Sequence, residues 1–410
     1  MLYLYFFGLR IYSIGIGIAS FFNSKAKEWI DGRKKIFTQI ASELQPGEKR
    51  IWFHCSSFGE FEQGRPVLQA LKKKFPEHKI VLTFFSPSGI KQGKKEPAAD
   101  YVFYMPLDGA SASKKFVELI NPHAAFFVKY DYWFGYMQQL HQHNIQFYYV
   151  SAIFRKEHYF FKWYGSWFLK QLKKATCFFV QDETSKILLN QNNISQSIVT
   201  GDTRFDRVYE FSKKTPQLDW VVNFKDGKKL IIAGSTWAKD ETLLADFINA
   251  ADDNIKMIIV PHEINAEKIT ALQSKLKVKA LLYSTLNNSS KHDYKLLIVD
   301  AVGILSKIYQ YANVVYIGGG FGKGIHNILE AVVFGKPVLF GPNYRKFNEA
   351  VELTKLGGAF EIGNNTDLTQ QLNLLLNNEE LCVTINRINI DFVKNKTGAT
   401  EKLQRGIKIE

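Results

Sequence analysis

Short runs of β-branched and aromatic residues alternate along this chain with longer stretches in which apolar positions recur at helical spacing. Ile51–His54, Ile80–Phe84, Tyr101–Tyr104, Ala124–Val128, Gln146–Val150 and Cys177–Val180 are the strand candidates of the first half. Leu230–Ala233, Lys256–Val260, Lys295–Val299, Val314–Ile317 and Pro337–Phe340 continue the series in the second. Turn-forming residues and then an amphipathic segment follow these runs, the signature of βαβ units and parallel sheets. The alternation breaks between Glu210 and Lys229, a polar stretch containing Pro216 and Gly227. The pattern predicts an α/β protein with two Rossmann-like, doubly wound domains, 25–212 and 213–385, facing a cleft. A basic, helical tail, 386–410, is expected to cross back to the first domain. No internal repeat at solenoid spacing is present.

The first residues depart from this rhythm. Leu2 to Phe22 is apolar and aromatic, interrupted by Arg10 and a few small or hydroxyl residues, and is about as long as a membrane-crossing helix requires. Lys25, Lys27, Arg33, Lys34 and Lys35 follow it. Residues 1–24 therefore read as a membrane anchor, spanning or monotopic, with the rest of the chain left on the cytoplasmic side. Basic residues do not precede the apolar run, which argues against a secretory signal. The alternative is a short buried helix. A net charge of +14 calls for an anionic partner: a membrane surface, a phosphorylated substrate or nucleic acid. The cation–aromatic segment Arg155 to Tyr164 suits a membrane interface or a phosphorylated lipid, and would equally stack bases. The three cysteines, Cys55, Cys177 and Cys382, are far apart, so neither a disulfide framework nor a cysteine metal site is expected. No HExxH, EF-hand or His/Asp metal pattern occurs.

Candidate chemistry gathers where strands end. After Ile51–His54 comes Ser56-Ser57-Phe58-Gly59-Glu60, which opens a helix. Glu60 thus falls at the carboxyl edge of a sheet, where open α/β folds keep their ligands. A carboxylate in a first helical turn is held ionised by the helix dipole; it reads either as a general base or as a complement to that dipole. Ser86-Pro87-Ser88-Gly89 is a second turn on the same edge. Gly201-Asp202-Thr203-Arg204-Phe205-Asp206 follows a short strand; Arg204 there either meets a phosphate or pairs with Asp202 or Asp206. In the second half, Gly234-Ser235-Thr236 ends the first strand and either binds a phosphate or caps the next helix. Pro261-His262 closes the following strand, and His262 reads as structural or functional. Gly318-Gly319-Gly320-Phe321-Gly322-Lys323-Gly324 lies between a strand and the helical Asn327 to Val332, a loop that admits a phosphate or nucleotide close to the backbone. It is not a dinucleotide fingerprint and carries no Walker Lys-Ser/Thr pair. Glu330 reads as a ribose contact or as an ordinary helix residue.

In their order and spacing these segments resemble the 3-deoxy-D-manno-octulosonic acid (Kdo) transferases, inverting enzymes of the GT-B fold in lipopolysaccharide assembly. The resemblance runs through nearly the whole chain. It rests on Ser57-Phe58-Gly59-Glu60, Ser86–Gly89, Gly201–Asp206, Gly234–Thr236, Gly318-Gly319 with His326–Glu330, and Gly335-Lys336-Pro337-Val338 with Gly341-Pro342. It implies that Glu60 is the catalytic base and that Arg204 stabilises the transition state. It implies CMP contacts at Pro261, His262, Val302, Gly303, Ile304 and Asn327, Ile328, Leu329 and Glu330, with Gly234, Ser235, Thr236, Gly318 and Gly319 on the donor side. Ser57, Gly59, Ser86, Ser88 and Gly89 fall on the acceptor side. CMP-Kdo as donor, a phosphorylated lipid A precursor as acceptor, the cytoplasmic face of the inner membrane, and no metal or other cofactor are what the family implies.

Four positions depart from the family pattern. Lys129-Tyr130-Asp131-Tyr132-Trp133 stands where Glu-Thr-Glu-Leu-Trp is usual, so Lys129 occupies an acidic position and Asp131 is the carboxylate that remains to assist Glu60. His262 replaces an arginine, Ile304 a glutamate and Ile325 a glycine. Three rivals stay open: a GT-B enzyme using a UDP-sugar, a non-catalytic membrane-surface protein of the same fold, which Lys129 favours, and a nucleic-acid binder, which the charge favours.

Overall fold

The structure, a computed structural model, describes residues 1–286 and 294–409. The chain divides into two compact units, Met1–Arg207 with Lys396–Glu410, and Val208–Asn395. Each is built on one seven-stranded parallel sheet. The first sheet comprises β1 (Arg50–Cys55), β2 (Lys79–Phe84), β3 (Tyr101–Tyr104), β4 (Ala124–Val128), β5 (Gln146–Ala152), β6 (Cys177–Val180) and β7 (Ser197–Val199), in the order 3-2-1-4-5-6-7. The second comprises β8 (Lys229–Thr236), β9 (Ile255–Pro261), β10 (Ala280–Leu282), β11 (Leu296–Ile298), β12 (Val314–Ile317), β13 (Val338–Phe340) and β14 (Ala359–Glu361), in the order 10-11-9-8-12-13-14.

The central strands are largely apolar and buried because helices cover both faces of each sheet. Along β1, Ile51, Phe53 and Cys55 enter one core with Leu82, Phe126 and the helix Phe58–Lys74, which contributes Phe61, Leu68 and Leu71. The alternate residue Trp52 enters the opposite core with Val81, Phe127, Phe116 and Tyr136. In the second unit Ile231, Ala233, Met257 and Tyr316 pack against Leu244, Ile248 and Leu372. Strand order reverses between β1 and β4 in one sheet and between β8 and β12 in the other. Chains leaving two such strands diverge to opposite faces and open a crevice at the carboxyl edge.

The helix Leu2–Ala19 is long and apolar enough to cross a membrane and buries none of its residues. It touches the first unit along one side: Tyr5 donates to Asp108 at 2.9 Å, and Tyr12 rests near Trp29 and Phe85. At the other end, the helix Glu379–Asn395 runs through position 386 and buries Ile385, Asn389 and Phe392 in the second unit. The chain groups with the first unit from Lys396, where the helix Ala399–Gly406 follows. Lys74 Nζ donates to the carbonyls of Gln404 and Ile407 at 2.6 and 2.9 Å, and Leu403 is fully buried.

Candidate active site

At the first reversal, β1 ends in Ser56-Ser57 and β4 in Lys129-Tyr130-Asp131. Ser57 has extended backbone and precedes the helix, while its hydroxyl donates to the Glu60 carboxylate in the first turn. Asp131 reaches back to the same loop. Its Oδ2 accepts from the Ser56 N–H at 2.9 Å and its Oδ1 from the Ser56 hydroxyl. Burial pushes the Asp131 carboxyl up to about 8; the Ser56 bonds oppose this and the Glu60 charge adds to it. His54 lies beneath, with Nδ1 2.8 Å from the Thr83 hydroxyl and Nε2 3.8 Å from Asp131. Burial, and after it the charge of Arg33, push His54 down to about 3. His54 is therefore a neutral imidazole and brings Asp131 no counter-charge, and it is burial that keeps the Asp131 carboxyl protonated. Lys129 adopts a left-handed conformation (φ 63°) and its ammonium lies 5.4 Å from the Tyr130 ring.

Ser86 and Ser88 join this edge: the Ser86 N–H donates to the Ser56 carbonyl at 2.7 Å, and Ser86 caps its own helix through Ser88 N–H. Gly89 is a packing glycine, since a Cβ there would fall 2.0 Å from the Phe84 ring. Gly59 meets no such constraint. Arg204 is held by Asp202: Nε and Nη2 lie 2.8 and 2.7 Å from Asp202 Oδ2, and its backbone N–H meets Oδ1 at 2.9 Å. Asp206 instead accepts from the N–H groups of Gly398 and Thr400, each at 2.6 Å, and so starts the C-terminal helix. Thr203 ties the loop down, donating to the Gln63 carbonyl at 2.6 Å and meeting Ser151 Oγ at 2.8 Å.

The second reversal brings Gly234-Ser235-Thr236 beside Gly318-Gly319, with Gly318 N–H donating to the Gly234 carbonyl at 2.9 Å. A Cβ on Gly318 would meet the Ser235 carbonyl at 2.3 Å, and one on Gly234 the Tyr309 hydroxyl at 2.0 Å. Ser235 is left-handed (φ 55°). Lys129, Ser151 and Ser235 are thus three non-glycine residues in that strained region near strand ends, a placement typical of functional edges. Thr236 neither caps the helix nor faces outward: it is buried and its hydroxyl donates to Glu241. Asp240 does the organising, accepting from the N–H groups of Trp237 and Gly319 at 2.9 Å each and from the Tyr316 hydroxyl at 2.7 Å. His262 follows Pro261 and its N–H meets the Thr236 carbonyl. Asn327 accepts from Leu329 N–H and donates to Glu330 at 3.2 Å; Ile328 and Leu329 are buried. The helix here is one turn, Leu329–Val332, too short for a sizeable dipole. Val302 is exposed, Gly303 is left-handed, and Ile304 opens the helix whose Leu305 lies by Gly234. Among the described residues no cluster of three His, Cys, Asp or Glu side chains forms a metal site.

Residues 31–207 match the family model described as 3-deoxy-D-manno-octulosonic-acid transferase. A transferase of that name from Aquifex aeolicus is 30% identical over 80% of this chain and 86% of its own length. One from Chlamydophila psittaci is 26% identical over 80% and 78%. The chain belongs to the Kdo transferase family. Solved structures agree on the fold. The UDP-GlcNAc 2-epimerase of Neisseria meningitidis aligns with a TM-score of 0.62 at 16% identity, covering 87% of this chain and 98% of its own. The MurG of Acinetobacter baumannii gives 0.52 at 12%, with the same coverages. This Kdo transferase family member is a glycosyltransferase of GT-B fold. Two residues of its second edge, Trp237 and Asp240, were not legible as site residues. Trp237 lacks a motif, and the reach of Asp240 shows itself through partners 76 and 79 residues along the chain.

Proposed function

We propose that this protein transfers Kdo from CMP-Kdo to a phosphorylated lipid A precursor, with inversion at the anomeric carbon and Glu60 as the base. The observation that carries the reading is Glu60 itself: a serine-held carboxylate in the first helical turn after β1, at the strand-order reversal of a family member. Its carboxylate takes the proton of an acceptor hydroxyl as that oxygen bonds to the anomeric carbon. The bond from that carbon to the CMP phosphate breaks, and CMP departs with the electron pair. A single displacement from the opposite face inverts the centre.

Asp131 supports this division of labour. A carboxyl pushed up to about 8 keeps its proton at neutral pH, so Asp131 presents no second negative charge and Glu60 is the group that accepts. We assign Arg204 and Lys129 to the charge that develops on the leaving phosphate. Gly318, Gly319, Asn327, Glu330, His262 and the Val302–Ile304 segment are assigned to the donor. A lipid acceptor fits a groove of about 540 Å³ in the first unit, lined by Leu9, Tyr132, Trp133, Phe134, Tyr159 and Asp131. The apolar helix Leu2–Ala19 and the basic residues after it suit attachment to the cytoplasmic face of the inner membrane.

Glu60→Gln is expected to lower turnover on the order of 10² to 10⁴-fold, with the Kdo-bearing lipid product counted by mass spectrometry. Transfer at near wild-type rate would refute the base. Protection of the donor site by CMP and not by UDP is expected; the reverse would favour a UDP-sugar enzyme.

A further inference from the structure

The helix Leu2–Ala19 carries two apolar faces. Leu2, Tyr5, Phe6 and Leu9 fall on one side and are half-buried, and Leu2 and Tyr5 pack against the core of the first unit. Tyr3, Leu4, Phe7, Ile11, Ile14 and Ile18 fall on the other, each more than half exposed. A surface helix of a soluble domain turns a polar face outward; here the outward face is apolar as well. The inner face is fixed in register. Tyr5 donates to the buried Asp108 at 2.9 Å, and the same carboxylate oxygen takes the Gly135 N–H at 2.8 Å. Phe6 closes on Gly135, where an added Cβ would fall 2.9 Å from its ring.

Leu9 stands one turn beyond Tyr5 on the same face, and the two form one wall of the groove of about 540 Å³. Tyr159, Tyr164 and Phe168 supply a second wall, and residues 130–134 complete the lining. Phe134 meets both walls: its ring centre lies 5.1 Å from Tyr5 and 5.3 Å from Phe168, and Phe168 lies 4.7 Å from Tyr159. Asp131, in the same lining, holds Ser56, the neighbour of the serine that holds Glu60. The groove thus connects the N-terminal helix with the loop that carries the base. Its one carboxyl, Asp131, keeps its proton at neutral pH, and the rest of the lining is aromatic or aliphatic. Such a lining favours hydrocarbon over a charged sugar phosphate. The volume is that of a small-molecule pocket, with room for one chain and not for a whole multi-chain lipid.

We propose that the inner face of this helix is part of the acceptor site: one acyl chain of the lipid substrate lies along Tyr5 and Leu9, and Leu9 sets the chain length the enzyme accepts. This deepens the lipid-acceptor reading above and rests on it. The helix does two jobs with two faces. Its outer side meets bilayer hydrocarbon, and its inner side receives a chain drawn from that bilayer. A bilayer phospholipid is the rival occupant. Continuity of the groove with the Ser56–Glu60 loop favours the acceptor, because a chain rooted there leaves its sugar beside the base.

The test uses the full-length protein in nanodiscs of one lipid composition, which holds attachment constant. The acceptors are alike in sugar and phosphate and carry decanoyl or tetradecanoyl chains. Leu9→Trp narrows the groove and should lower kcat/KM for the tetradecanoyl acceptor about tenfold relative to the decanoyl one, the loss of contact with about two methylenes. Leu9→Ala widens it and should move that ratio the other way by about threefold. A folding defect lowers both acceptors together and cannot produce opposite shifts. Ile11→Trp places the same indole on the outer face and should leave the ratio at its wild-type value. No shift in the Leu9 variants, shifts in one sense only, or an equal shift in Ile11→Trp overturns the proposal. Binding of dansyl-undecanoic acid, a hydrocarbon probe that brightens in apolar surroundings, reads the groove without transfer when the protein is held in a bile-salt detergent. The wild type should bind it, Leu9→Trp about tenfold more weakly, and the tetradecanoyl acceptor should displace it. Displacement by phospholipid and not by the acceptor would give the groove to a bilayer lipid and overturn the proposal. If CMP-Kdo proves not to be the donor, the transfer reading fails alone, and the probe still decides the role of Leu9.

Discussion

Asp131 and Glu60 reach the same loop from different distances along the chain, and that difference decides what each does. Asp131 arrives from 75 residues away, buried, with its oxygens on Ser56. Its carboxyl is pushed up to about 8, so between about pH 4 and 8 the folded state keeps a proton that the unfolded chain releases. Stability from this residue is therefore whole at low pH and drains away as pH rises toward 8, the reverse of an ion-paired aspartate. Asp131→Asn keeps an oxygen that accepts from the Ser56 N–H and an amide N–H that can donate to the Ser56 hydroxyl oxygen, as the protonated carboxyl can, while removing the titration. The variant's Tm is expected to fall less between pH 5 and 8 than the wild type's, by about 2–4 °C for each kcal/mol removed. Parallel Tm curves for the two proteins would contradict the protonated state. Glu60 was legible because its strand, turn and helix start are contiguous. The proton on Asp131 was not, because burial and the nearness of Glu60 are properties of packing.

Among the elements, the central strands could be read from composition because helices on both faces demand unbroken apolar runs. The three-residue edge strands β10 and β14 could not, since partial exposure on one side leaves them no distinctive pattern. The C-terminal helix was legible as a helix, but what starts it was not. Asp206, at the end of Gly201–Asp206, accepts from Gly398 N–H, Thr400 N–H and the Thr400 hydroxyl, 192 and 194 residues on. A side-chain oxygen on the open N–H groups of a first turn is a helix cap, and losing one costs about 1 kcal/mol. Asp206→Ala is expected to destabilise the protein by about that amount and to raise amide exchange at 399–406 before the β1–β4 core exchanges. Uniform exchange throughout the first unit would show instead that this helix and the sheet unfold together. Gly318 marks the same limit in the second unit: a glycine-rich loop is visible in sequence, whereas the Ser235 carbonyl that excludes a side chain there is not.

For the whole molecule, two independent features point to a membrane, and they can be pulled apart. The net charge of +14 acts through solution and is screened as salt shortens the Debye length from about 10 Å at 0.1 M to about 3 Å at 1 M. The apolar helix Leu2–Ala19 acts by burying surface in hydrocarbon, which salt does not weaken. Residues 1–24 contain a single charged side chain, Arg10, so removing them leaves nearly all the charge in place. The truncated protein is expected to bind anionic vesicles at low salt and to be released by about 0.5 M salt, while the full-length chain stays bound. Truncation also strips the Tyr5 hydroxyl from the buried Asp108, so its Tm has to be compared with that of Tyr5→Phe, which breaks the same hydrogen bond and keeps the helix. If Tyr5→Phe matches the truncation in Tm and yet remains on the vesicles in salt, attachment belongs to the apolar surface of the helix. Release of the full-length chain at the same salt as the truncated one would mean that the helix lies against the protein, and that charge alone brings the enzyme to the vesicle surface.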